Sequence, residues 1–180
     1  MPRLSTRVLL SCAAISIVTG VLFVLTGALH AVVIATVPWL YGALIGLYFL
    51  PGAIAQGLFR LPGVAVVTIL FAAVLTALSP VMSLGWAVFG PMALIGVLQE
   101  LPYAVFAYRR RTRRVALIGA TASGLLLGGV FAYIFEFSHG QIVLAALQLV
   151  ATTVSVVLFS WLGWFIADRL RAAGVGASGR

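Results

Sequence analysis

Every positive charge in this chain falls in one alternate set of gaps between long apolar runs. Arg3 and Arg7 precede the first run, Arg60 follows the second, and Arg109, Arg110, Arg111, Arg113 and Arg114 follow the fourth. Arg169, Arg171 and Arg180 follow the sixth, whereas the connectors around His30, Trp86 and His139 carry no Arg or Lys. A run of about 20 apolar residues crosses a bilayer core of ~30 Å, and a backbone in hydrocarbon must satisfy its own hydrogen bonds, so such runs fold as helices. The pattern therefore specifies an all-α integral membrane bundle of six transmembrane helices. Because Lys and Arg are retained on the cytoplasmic side, both termini are expected in the cytoplasm.

Composition agrees. Hydrophobic residues make up 63% of the 180 and charged residues 8%, against about a quarter charged in soluble domains, and the mean hydropathy is +1.22. No hydrophilic stretch is long enough for a separate unit, so residues 1–180 read as a single membrane domain. The expected spans are 4–29, 39–59, 62–79, 91–108, 115–135 and 141–167. His30 then lies in a short connector, Pro51-Gly52 kinks the second span, and "VMSLGWAVF" forms a surface loop before the fourth. The start "MPRLSTRVLLSCAAIS" is too compressed for a secretory leader: only Val8 to Ser11 separate Arg7 from Cys12, and the apolar run continues to Leu29. It reads as a retained first helix. Cys12 is the only cysteine, which excludes an internal disulfide and a cysteine-rich metal site.

The net charge of +8 does not point to nucleic acid. "RRRTRR" is a membrane-surface anchor that meets anionic lipid, not a stripe that reads a groove. The chain has no lysine, so it cannot hold the Gly-x4-Gly-Lys phosphate loop, and any ATP must be used by partners. Metalloprotease, nucleophile-elbow and paired-carboxylate motifs are also missing from the sequence, which argues against an enzyme. With two histidines, no zinc-type cluster is expected.

Few residues remain to carry chemistry. The acids are Glu100, Glu136 and Asp168, and Asp168 beside Arg169 reads as a solvated helix end. Glu100 is placed roughly 15 Å into the fourth span; a carboxylate at that depth costs about 2.5–3.5 kcal/mol to insert and should face the bundle interior. Glu136 closes the fifth span in "AYIFEF" at the outer boundary. The outer side also gathers Trp39, Tyr41, Tyr48, Trp86 and Tyr133, with Gln141 and Gln148 at the start of the sixth span. Singly, such aromatics form an interfacial belt; together with amides and a carboxylate they suit a flat, nitrogen-containing, neutral or cationic ligand. The candidate binding residues are Glu136, Glu100, Gln99, Tyr133, Trp39, Trp86, Tyr48 and Gln148. Cys12, Ser16 and Gly20 recur every four residues on the first helix, a small-residue face on which another helix can pack closely, inside the bundle or from a partner.

Four stretches carry a family likeness: "GLYFLPGAIAQGLFRLPG" (46–63), "GPMALIGVLQ" (90–99), the aromatic-acid end Tyr133 to Glu136, and "GWFIADRLRAAGV" (163–175). In order and spacing they resemble YkoE-type S components, the substrate-binding subunits of energy-coupling-factor (ECF) vitamin importers of the thiamin and hydroxymethylpyrimidine class. The resemblance implies six helices, cytoplasmic termini in a bacterial plasma (inner) membrane, and an outward-opening vitamin pocket. It further implies partners: a transmembrane coupling subunit docking on Cys12, Ser16 and Gly20 of the first helix, and two ATPase subunits. The chain departs from the family pattern at Ile69 and Thr76, where the family often carries acids, and in placing Glu100 directly after Gln99. Two other readings compete: a proton-coupled transporter of organic cations driven by Glu100, and a non-transporting membrane assembly subunit.

Overall fold

The computed structural model describes residues 5–79, 85–106, 108–109, 112–135 and 140–175. Among these residues the structure is helical, without strands. Helix α1 covers Thr6–Thr36; Pro38–Leu40 form a 3-10 turn that leads into α2 (Tyr41–Ile45). A second 3-10 stretch, Gly46–Phe49, joins α2 to α3 (Leu50–Phe59), and α4 follows at Val64–Leu78. The 3-10 turn Gly85–Val88 opens α5 (Phe89–Val105); α6 (Arg113–Phe135) and α7 (Ile142–Ala172) complete the chain. Among the described residues, five stretches are long and apolar enough to cross a membrane: Thr6–Thr36, Pro38–Phe59, Gly85–Val105, Arg113–Phe135 and Ile142–Ala172. The sixth, α4, has 15 residues, about 22 Å at 1.5 Å per residue. It is short of a full span but is packed between α1, α3 and α5.

Helix α1 runs on to Thr36, seven residues past its expected end at Leu29. It starts where the Ser5 side chain accepts from Val8 N and meets no breaker until Pro38, which pushes Val37 into a non-helical conformation (φ −141°, ψ 67°). His30 is therefore a buried helical residue, not part of a connector. The second span is not a straight helix kinked at Pro51. Pro51 lies in the first turn of α3, where its missing N–H breaks no bond, and the irregularity precedes it at Gly46–Phe49. Part of the expected surface loop, Gly85–Val88, is helical and continues into α5; residues 80–84 lie outside the described set.

The irregular second span is tolerated because α7 covers it. Ser155 on α7 donates to the Ala43 carbonyl at 2.5 Å. At Gly46 the two backbones approach so closely that a Cβ would run into the Ser155 carbonyl and side chain. The small-residue stripe of α1 is likewise used inside the chain. Cys12, Ser16 and Gly20 are buried against α4: Ser16 Oγ lies 2.6 Å from the Thr68 carbonyl, and a Cβ on Gly20 would come 2.9 Å from the Leu75 side chain. The stripe expected to receive a coupling subunit is thus covered by the chain's own fourth helix, and α1 turns Leu10, Ile17, Val18 and Leu25 outward instead.

The arginine-bearing ends converge. Arg60 lies over the Trp164 ring at 5.9 Å and Arg113 over Trp161 at 5.1 Å, which brings the C-terminal end of α3 and the N-terminal end of α6 to the C-terminal half of α7. Asp168 forms an ion pair with Arg171 at this end. Replacing Gly46 by Ala is expected to destabilise the bundle by about 1–3 kcal/mol through overpacking. Thermal unfolding in detergent checks this against Gly90→Ala, where a Cβ meets nothing within 4 Å.

Candidate functional site

At the end opposite the arginines, the second span, the start of α5 and the end of α6 part around a cleft of about 390 Å³. Tyr41, Tyr48, Met92, Ile95, Leu127 and Phe131 are among the residues that line it. The size lies within the range of small-molecule sites, about 300–1,000 Å³. An aromatic framework holds its wall. Tyr41 meets Phe131 edge-on at 5.5 Å and Phe135 at 5.8 Å, and Tyr48 packs on Phe23 at 4.6 Å. Behind Tyr48 sits His30. Its Nδ1 is 2.8 Å from the Thr26 carbonyl, and its Nε2 is 3.1 Å from the Tyr48 hydroxyl.

Of the described candidate binding residues, Tyr48 lines this cleft, together with Tyr41 from the outer aromatic set, and the others do not. Trp86 is 67% exposed and stacks on Phe89, and Tyr133 is 64% exposed on the outer side of α6. Trp39 is half-buried in the turn before α2, outside the cleft lining. Gln148 is fully buried and supports that turn. With its amide nitrogen turned toward acceptors, it donates to the Trp39 and Pro38 carbonyls, and its oxygen accepts from Gly42 N at 3.3 Å. Glu136 and His139 lie outside the described residues.

Gln99 and Glu100 belong to a different part of the bundle. Gln99 donates to the Phe49 carbonyl at 2.6 Å, and Gln56 donates to the Gln99 carbonyl at 3.0 Å. The Gln99 Oε1 is buried without a hydrogen-bond partner among the described residues, beside a small internal cavity of about 10 Å³ whose lining includes Gln56, Ser123, Ser160 and Trp164. Glu100 is buried, at 7% exposure, and lies toward the arginine end, on a small cavity shared with Arg60 and Tyr108. Its Oε1 accepts from Ala65 N at 2.9 Å, in the first turn of α4, and its Oε2 accepts from the Tyr108 hydroxyl at 3.2 Å. Gly63, the residue before α4, has no side chain to cap it, and Glu100 supplies the missing acceptor to a helix N-terminus that favours negative charge.

Sequence reasoning missed Phe131, Met92, Ile95 and Leu127. Phe131 had a usable signal, since it stands two residues from Tyr133 on the same outer stretch. The aliphatic members had none, because most of the chain is as apolar as they are.

The geometry is that of a multi-helix membrane protein with an aromatic cleft at one end, and it has a solved counterpart. The chain is similar to a structure described as "Crystal structure of an S-component of ECF transporter", with a TM-score of 0.80 at 21% identity, over 95% of this chain and 87% of that one. The fold is therefore that of an ECF S component. The model of the family described as "ABC-type cobalt transport system, permease component" matches residues 8–127, and the chain belongs to that family. No curated protein matches the chain. Family and fold are those of transport proteins, not enzymes.

Replacing Glu100 by Leu leaves Ala65 N–H without its acceptor and is expected to cost about 1–3 kcal/mol of stability. Glu100→Gln keeps an acceptor oxygen and should lose less. Unfolding midpoints of the two variants in detergent test this ordering.

Proposed function

We propose that this chain is the substrate-binding S component of an ECF-type ABC importer of the bacterial plasma membrane. It captures a flat heterocyclic vitamin, thiamin or its hydroxymethylpyrimidine moiety, from the extracellular side. Uptake is driven by ATP at two partner ATPase subunits, joined to this chain through a transmembrane coupling subunit. The observation that carries the reading is the aromatic cleft of about 390 Å³ at the arginine-free end of an S-component fold. On the positive-inside rule that end faces outward.

The family description names cobalt. A bare or hydrated cobalt ion is held by nitrogen, oxygen or thiolate donors. The cleft side chains offer two phenols and one thioether among aliphatic and aromatic groups. That lining favours an organic ring, stacked by Tyr41, Tyr48 and Phe131, over a metal ion as cargo. Glu136, at the end of α6 in sequence, is the carboxylate proposed to meet a cationic or amino-bearing ring there, with Trp39, Trp86 and Tyr133 at the rim.

Because α4 covers Cys12, Ser16 and Gly20, the coupling subunit is proposed to dock beside them. An apolar groove of about 320 Å³ between α1, α3 and α7, lined by Ala14, Val18, Ile54, Leu58 and Ile166, supports this placement.

Tryptophan fluorescence of the purified chain in detergent, titrated with thiamin, hydroxymethylpyrimidine and Co²⁺, tests the reading. Saturable quenching by one of the organic rings without ATP is expected; a response to Co²⁺ alone would overturn the organic cargo. Phe131→Ala and Glu136→Gln should each weaken binding tenfold or more, about 1.4 kcal/mol. Unchanged affinity in both variants would remove the site from this cleft.

A further inference from the structure

The hydrogen bonds behind the cleft have a fixed direction, and that direction limits what the cleft can recognise. The Thr26 carbonyl lies 2.8 Å from His30 Nδ1, and a carbonyl can only accept, so Nδ1 carries the proton. In the neutral ring Nε2 is then a bare acceptor. The group 3.1 Å from it is the Tyr48 hydroxyl, which must therefore donate. Tyr48 has a single proton, and it is used on His30. Tyr48, one of the two tyrosines that line the cleft, is left with lone pairs alone for any further hydrogen bond.

Local packing prevents the pair from turning round. His30 is buried on α1, with the Tyr41 ring edge-on at 5.8 Å and the Tyr48 ring at 5.4 Å. Tyr48 is itself buried and held against Phe23. Moving the ring proton to Nε2, the tautomer that would make the Tyr48 hydroxyl an acceptor, would set a bare Nδ1 against the Thr26 carbonyl, two acceptors facing each other in a low-dielectric interior.

We infer that His30 is a positioning residue which makes Tyr48 a hydrogen-bond acceptor toward the cleft, so that the ligand must bring an N–H or O–H donor on its ring. This rests on the binding-subunit reading above and narrows it to rings with a donor substituent, such as an exocyclic amine. A ring with an ether or another bare acceptor at that point opposes lone pair to lone pair. Tyr41 is the other phenol of the lining, but a Tyr48 oxygen that can only accept still discriminates against a ligand that cannot complete that bond.

The test compares affinities within matched pairs, measured on the full-length chain in detergent: thiamin and hydroxymethylpyrimidine, each against its counterpart with methoxy in place of the exocyclic amine. The native chain is expected to bind the amino member of a pair at least about tenfold tighter. His30→Leu releases the Tyr48 proton, so the preference should fall to near unity or reverse, with methoxy binding retained or improved. A merely structural role for His30 would weaken both members alike. Tyr48→Phe removes the acceptor but keeps the ring, and it should abolish the preference even if His30→Leu does not fold. Binding of both members of a pair with equal affinity by the native chain would overturn the donor requirement and leave the binding subunit standing. A preference that survives both substitutions would also overturn it. Failure of every ring to bind would overturn the ligand class of the proposed function, and the donor requirement with it.

Discussion

The fold depends on how closely α7 approaches the irregular second span. Between Pro38 and Phe49 the chain passes through two 3-10 stretches and a helix of only 5 residues, inside a segment that otherwise crosses the membrane. Such backbone survives at membrane depth only when protein covers it and completes its hydrogen bonds. Helix α7 does both: Ser155 donates to the Ala43 carbonyl, and Gln148 joins the Trp39 and Pro38 carbonyls to Gly42 N–H. The absence of side chains at Gly42 and Gly46 lets α7 come near enough for those polar groups to reach. Once the segment is held this way, Tyr41 and Tyr48 are fixed on the side away from α7, facing α5 and α6, where the cleft opens.

Most of this architecture was legible in the sequence. The helical runs could be counted because hydrophobicity and arginine position are long-range signals that survive a misplaced boundary. Helix ends were harder. Leu29-His30 looked like an end because histidine is polar, yet the helix continues to the residue before the Pro38 pre-proline position, and the polar ring is satisfied by Thr26 and Tyr48 inside the bundle. A polar residue in an apolar run marks a need for a partner, and whether that partner is water or another helix is a tertiary fact.

The same distinction separates the site residues. Gln99, Glu100 and Gln148 stand out in sequence for the chemistry that makes them useful as internal ties, and each bonds to backbone of another segment: the Phe49 carbonyl, the Ala65 N–H and the carbonyls before α2. The cleft is lined by residues that do not stand out at all. Ile95, Leu127 and Met92 come to line a cleft only because α5 and α6 diverge next to Tyr48. In a chain with 63% hydrophobic residues, an apolar cavity has no compositional contrast with its surroundings.

Charge divides the bundle's two ends by function. At the arginine end Arg60, Arg113 and Arg169 lie over the rings of Trp164, Trp161 and Phe165, within 5.1 to 5.9 Å of their centroids. A guanidinium held over an aromatic face keeps its charge at the membrane boundary while its stem covers apolar surface, so these pairs fix the depth of α3, α6 and α7. The opposite end is shaped by aromatic edges and the His30–Tyr48 bond, contacts that hold rings in place without placing a formal charge among the described lining residues. Sequestering the arginines at one end leaves the other free to form an apolar, directionally polarised cavity. The described lining offers aromatic faces and the phenols of Tyr41 and Tyr48, groups that act on a bound ring by orientation, and the proposed Glu136 would add the charge.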